Sequence, residues 1–265
     1  MKKTMPRVKA APSQAISVSF AIIILIAFIA TGIAFLLQHR NATLIAAKDA
    51  LSFDATETAS TLASALGAAN KRLEKAKDDF VGKWTSGQEK SQLVSLAFQI
   101  RWVQNAFLLD ENGRLMDSAF PRMAPVLALK DGLLRQFRTG TETVCKILDA
   151  PTESGKALVL IKVLRRDFPM RYCAVVFSGF ESEGRHAETL SSTERVMSLA
   201  GDTGSYDICG NPMALLENPS RFLKTSVTLS GWPVTLSLAL DKKALFKDSA
   251  SRVFHGRRLS MASSK

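Results

Sequence analysis

Two lysines stand where apolar side chains belong, and they are the residues of this chain best suited to do chemistry. Lys162 lies in the otherwise uncharged run 157–164 and shares alternate positions with Leu158, Leu160 and Leu164. An ammonium group in that setting must find a partner, reach water, or meet an anionic ligand such as a carboxylate, because burying it alone is costly. Lys146 on the preceding segment is placed to do the same, and either side chain can instead run its methylenes to the surface. Trp102 and Tyr172 are candidate pocket walls, or core aromatics. These four residues form the candidate ligand-binding set. Their chemistry is recognition.

Turnover has little support. A catalytic site needs a nucleophile or an acid–base pair held within reach. The three histidines are His39, at the edge of an apolar run, His186, on an expected helix, and His255, in a polar tail. None stands near a Ser or Cys in a recognisable arrangement. Ser154-Gly155-Lys156-Ala157 echoes the end of a phosphate loop but lacks its first Gly and its Mg²⁺-holding Ser or Thr. Asp110 and Glu111 read as solvated turn carboxylates. The sequence therefore predicts neither enzymatic activity nor a metal or cofactor.

The elements that position these residues begin with a membrane segment. Residues 15–37 carry no charge. A helix rises ~1.5 Å per residue, so this run crosses a ~30 Å hydrocarbon core with a little tilt. A cleaved signal has an apolar core of only about 7–15 residues, and here Phe35-Leu36-Leu37 continue beyond the small residues at Ala27 and Ala30. An uncleaved anchor is expected. Lys2, Lys3, Arg7 and Lys9 precede the run without an acid, which places the N-terminus in the cytoplasm and the folded mass outside the inner membrane.

The net charge of +11 does not signify nucleic-acid binding. Most of the excess sits in residues 1–14 and in Lys247, Arg252, Arg257, Arg258 and Lys265 of the last segment. The residues between are nearly balanced, so no basic face is implied. Three cysteines, Cys145, Cys173 and Cys209, stand in a compartment that permits disulfides. Their number is odd and no pair has metal spacing, so they are expected as buried thiols.

Residues 38–80 read as one long helix. Leu62, Leu66, Ala69, Leu73, Ala76 and Phe80 follow a 4-3-4-3-4 seam, which packs on the helix's own domain or on a second copy. A shorter helix is expected over 91–100. Strands follow at 102–109 and 114–119, joined at Asp110-Glu111-Asn112-Gly113, where Asn-Gly is a strong hairpin signal. Residues 131–138 form an amphipathic helix. Three strands, 142–149, 156–164 and 171–177, come next, with the middle one apolar on both faces and therefore interior. Residues 185–199 are expected to be helical, and 201–211 turn-rich. A final pair of strands, 222–229 and 232–240, precedes a helix capped by Asp241.

This order resembles the extracytoplasmic PAS-like, or Cache, sensor domains of bacterial receptors such as diguanylate cyclases, histidine kinases and chemoreceptors. The resemblance rests on the basic tail, the span and the emergent helix, together with "FLLDENGRLMDSA" at 107–119 and "SGWPVTLSLALDKKALF" at 230–246. It implies an α+β fold in which a long membrane-proximal helix and flanking helices pack an antiparallel PAS-like sheet. It also implies small-molecule binding over the concave sheet face, enclosed by the long helix and the loop after the second strand. The expected organisation is a cytoplasmic basic tail (1–14), a transmembrane helix (15–37), a membrane-proximal helix (38–84), a sensor domain (85–246) and a disordered basic tail (247–265). Such receptors carry a second span and an output module, which 247–265 does not contain. The chain thus reads as a receptor cut short before its output, or as a sensor subunit acting through a partner. The Arg, Trp, Tyr and Asp constellation of amino-acid-binding members does not map here residue by residue.

The functional expectation is a single-pass sensor of a small, anionic ligand in signal transduction, working as a homodimer or with a receptor partner. The contrasting expectation is an envelope interaction protein without a pocket.

Overall fold

The computed structural model describes residues 12–83, 88–100, 102–121, 131–149, 156–167, 169–177, 195–210 and 212–246. Residues 1–11 and 247–265, His186, His255, Arg101 and residues 150–155 lie outside these.

One helix, α1, runs over Pro12–Lys83. Its apolar part is long enough to cross a membrane by length and composition. The chain divides into two compact units, Met1–Ala47 and Lys48–Lys265. In the second unit, α1 buries Leu51, Ala55, Ala59, Leu62, Leu66, Ala69, Leu73 and Ala76. This is the expected seam, extended upstream, and it packs on its own domain as an amphipathic stripe should.

Helix α2 (Glu89–Gln99) leads into a five-stranded antiparallel sheet of β1 (Val103–Leu109), β2 (Leu115–Ser118), β3 (Thr143–Asp149), β4 (Lys156–Arg165) and β5 (Arg171–Phe177). The strand order is β2-β1-β5-β4-β3. The ten-residue β4 is flanked on both sides, and its burial on both faces explains its unbroken apolar sequence. The β1–β2 turn forms as the Asn-Gly signal predicts. Gly113 takes φ 73°, and the Asp110 carboxylate accepts hydrogen bonds from the backbone N–H groups of Asn112 (2.9 Å) and Arg114 (2.8 Å). Helix α3 covers Asp131–Arg138, as expected.

A second sheet holds β6 (Arg195–Gly201), β7 (Gly204–Cys209), β8 (Phe222–Thr228) and β9 (Val234–Asp241), in the order β7-β6-β9-β8. Here two expectations are corrected. Residues 195–199 are strand rather than helix, and 204–209 is a paired strand rather than a turn-rich segment. Residues 185–194 of that expected helix lie outside the described residues. The apolar run Val196–Leu199 fits either period when read locally. Pairing with β7 on one side and β9 on the other decides it, since β6 fills an interior position. Helix α4 (Pro212–Glu217) precedes β8. A last helical turn over 242–246 starts at Asp241, whose carboxylate accepts from the Lys243 N–H at 2.9 Å.

Cys145 lies on β3 opposite Leu160 and Cys173 on β5 opposite Lys162, so two strand spacings and a two-residue offset put their Cα atoms about 12 Å apart, beyond disulfide reach. All three cysteines are free thiols. Burial pushes both the Cys145 and Cys173 thiols up to about 12, which leaves almost no thiolate at neutral pH. Iodoacetamide at pH 8 is expected to alkylate Cys209 in the folded protein, and Cys145 and Cys173 at least tenfold more slowly until denaturant is added. Peptide mass spectrometry of quenched time points reads the three rates.

Candidate ligand-binding face

The five-stranded sheet presents two unlike surfaces, set by the alternation of side chains along each strand. Ala106, Leu108, Cys145, Ile147, Leu158, Leu160, Leu164, Cys173, Val175 and Phe177 share one core with α1 and the second sheet. The alternate positions, Phe107, Leu109, Val144, Ala157, Val159, Ile161, Val163, Tyr172, Ala174 and Val176, form a separate core with Leu133, Leu134 and Phe137 of α3.

Lys162 belongs to the α1 side, where its register partners are Thr143 and Cys173. Its side chain is 2% exposed. The ammonium forms an ion pair with Glu74 of α1. It also donates to Thr143 Oγ1 at 3.0 Å and Asn70 Oδ1 at 3.3 Å, while the Thr143 hydroxyl donates to Asn70 Oδ1 at 3.3 Å. Of the three outcomes open to this lysine, the first is the one found: it has a partner. Nearby, Lys77 lies 3.4 Å from Glu142, and Arg166 Nη2 donates to the Gly140 carbonyl at 2.7 Å. Lys162 holds the Glu74 carboxyl below its ordinary value through their hydrogen bond, partly offset by desolvation.

Lys146 is buried on the edge strand β3 and pairs with Asp202 in the β6–β7 turn. The next residue of that turn donates too, from Thr203 Oγ1 to the Ile147 carbonyl at 2.8 Å. Trp102 packs against the α1-side core with φ 62°, a positive value rare for a bulky residue. Tyr172 is fully buried on the opposite, α3 side. The four candidate residues are therefore not brought together.

Tyr172 has the most site-like surroundings. Its ring lies 5.1 Å from that of Phe137, and its hydroxyl donates to Met170 Sδ at 3.7 Å. Burial raises the phenol's pKa; Arg138 lowers it, and Glu111 and Asp110 raise it. Arg171 pairs with Glu111 at 3.3 Å, so the turn carboxylate has a structural use. The packing around the Tyr172 phenol is otherwise apolar, with the charged Arg138, Glu111 and Asp110 near enough to act on it. Asn105 is a residue that sequence reading missed. It is 1% exposed; its Oδ1 accepts from Ala106 N at 2.9 Å and Phe120 N at 3.1 Å, and its Nδ2 donates to the Phe120 carbonyl at 3.0 Å. An amide inside the run Val103–Leu109 was the available signal. Among the described residues no group of three or more His, Cys, Asp or Glu is placed to hold a metal.

No protein-family model matches the sequence, and no curated protein matches it by sequence. Solved structures do match the fold. The extracellular domain of the candidate histidine kinase rpHK1S-Z16 aligns with a TM-score of 0.53 at 14% identity, over 77% of this chain and 98% of that one. The ligand-binding domain of the Pseudomonas fluorescens chemoreceptor CtaA, in complex with L-leucine, aligns at 0.51 and 11% identity, over 78% and 99%. An extracellular ligand-binding receptor from Desulfohalobium retbaense aligns at 0.51 and 14%, over 72% of this chain but 40% of that one. The chain thus has the α+β fold of extracytoplasmic Cache-like sensor domains, and the resemblance read from the sequence holds at the level of fold.

Truncating Lys162 to Ala leaves Glu74, Asn70 and Thr143 without their shared donor and is expected to cost about 2–4 kcal/mol of unfolding free energy. Glu74→Gln should cost less, about 1 kcal/mol, because Glu74 is half exposed. The Glu74 carboxyl is depressed, so its contribution is complete above its ordinary value of 4.5 and is lost as pH falls through its lower folded value. Urea melts at pH 7 and pH 3 check both points: the gap between wild type and Glu74→Gln should shrink in acid.

Proposed function

We propose that this chain is a membrane-anchored extracytoplasmic sensor that binds a small molecule on the α3 side of its five-stranded sheet. The observation that carries the reading is the asymmetry of that sheet. One face is packed by the long α1 and fixed by the Lys162–Glu74 pair; the other is packed, among the described residues, by the short α3 over the Tyr172 phenol. The fold shared with receptor ectodomains supports the same reading. The ligand's polar group meets Tyr172 and Arg138. An anionic group suits Arg138 better than Lys162, Lys146 or Arg171, each of which already has an acidic partner. The role is recognition, without catalysis, cofactor or nucleic acid.

In this reading residues 1–14 are a cytoplasmic tail, 15–37 the inner-membrane anchor, 38–84 the membrane-proximal helix, 85–246 the sensor proper and 247–265 a basic tail. Homodimerisation, or pairing with a receptor partner, would cover α1 side chains such as Ile45 and Phe53, which are 62% and 68% exposed.

A thermal-shift screen of the full chain in detergent, against amino acids and small carboxylates, tests the binding claim. A ligand at a hundred times its Kd adds about 2.7 kcal/mol, which corresponds to roughly 5–10 °C in Tm for a domain of this size. Tyr172→Phe, which removes only the phenol hydroxyl, should reduce the shift while leaving the unliganded protein folded. A screen without any shift would instead favour the envelope interaction protein.

Orientation has its own test. Alkaline phosphatase fused after Phe246 should be active in intact cells, whereas a green fluorescent protein exported unfolded at the same point should stay dark; the reverse pattern would place the domain in the cytosol.

A further inference from the structure

Lys162 is an expensive way to fill its site. Leu160, Leu164, Cys173 and Leu73 share the same apolar core, and an unbranched apolar side chain would fit the space. Buried ion pairs add little net stability over such a replacement. What the pair supplies is direction. Asn70 and Glu74 are one helical turn apart on α1, about 6 Å along its axis, and the Lys162 ammonium engages both. Thr143 holds the same nitrogen from β3 at 3.0 Å and bonds Asn70 itself at 3.3 Å. Two residues of the helix and two strands of the sheet thus meet at one atom.

We propose that Lys162 is a positioning residue that holds α1 in a single axial register on the five-stranded sheet, so that movement of the sheet is carried along the helix instead of being lost in slippage. Its purpose rests on the sensor reading; its geometry does not. The seam makes slippage unfavourable in both directions. Sliding α1 by four residues one way brings Asp78 to Lys162 as a new carboxylate, but puts Asn70 into the site of Leu66 and Lys77 into that of Leu73, which are 1% and 0% exposed. Sliding it the other way leaves Lys162 facing Asn70 alone and drives Arg72 into the site of Ala76. Each alternative buries a polar or charged group without a partner. The outer contacts of Lys77 and Arg166 with Glu142 are half exposed and screened, so they add little to the lock.

Two spin labels read the register. Lys75→Cys and Arg165→Cys, both at exposed positions, are combined with Cys209→Ser in the full chain in nanodiscs; Cys145 and Cys173 are too buried to label. The protein with Lys162 intact should give one narrow distance distribution. Lys162→Met, which leaves only the apolar seam to hold the helix, should broaden it. Glu74→Gln should act in the same direction to a smaller extent. One narrow distribution in both folded variants would overturn the proposal, and so would a broad one in the parent. If Lys162→Met does not fold, Glu74→Gln decides, since its side chain is half exposed. No ligand enters this experiment, so a lock that holds beside an empty thermal-shift screen would sink the sensor reading and leave the lock standing.

Discussion

One face of one helix has to serve two sheets. The buried positions of α1 in its second unit, from Leu51 to Ala76, form a stripe about 38 Å long, and the inner residues of both sheets join it in a single core. Alanines at 55, 59, 69 and 76 bring strands close to the helix backbone, and leucines at 51, 62, 66 and 73 fill the gaps between them. Neither sheet could bury its inner face without this stripe. The strand order follows from the same need: β4 and β5, the most apolar strands of the first sheet, lie at its interior, and β6 and β9 do so in the second.

The apolar stripe of α1 already disfavours a shift by one turn, because Asn70, Lys77 or Arg72 would enter apolar sites. The buried cations add to that preference. Lys162 ties the sheet to α1, and Lys146, with Thr203 donating to the Ile147 carbonyl, ties the edge strand β3 to the β6–β7 turn of the second sheet. The turn also satisfies part of an otherwise open sheet edge, where unpaired backbone groups invite unwanted pairing. Two charges set among apolar side chains thus join three elements that have no covalent link near these points.

Much of this was legible in the sequence where the signal is local. The Asn-Gly turn, the Asp241 cap, the α1 seam and the interior place of β4 all rest on interactions within a few residues or on one strand's composition. The anomaly of Lys162 was legible as well, though its resolution was not. Glu74 is eighty-eight positions away in the chain, and nothing in the 157–164 run says which distant acid will arrive. The same limit explains β6. Val196–Leu199 carries no local mark that separates strand from helix, and the choice is made by Leu236, Leu238 and Leu240 on β9. Tyr172 and Trp102 could be recognised as aromatic, but only strand parity and packing assign them to opposite sides of the sheet.

Parity also decides what a ligand could move. Ile161 and Val163 flank Lys162 on β4, and their side chains lie on the α3 side with Tyr172, while the lysine points to α1. Displacing either valine-like neighbour by contact with a bound molecule shifts the backbone that carries Lys162, because successive residues of a strand share one pleat. An apolar residue at 162 would leave such sliding opposed by the seam alone. A charged one, held by Asn70 and Glu74 on the helix and by Thr143 on the sheet, makes sliding cost a broken ion pair. The chain therefore places a buried ion pair between the sheet and the helix whose other end is apolar enough, by length and composition, to cross a membrane.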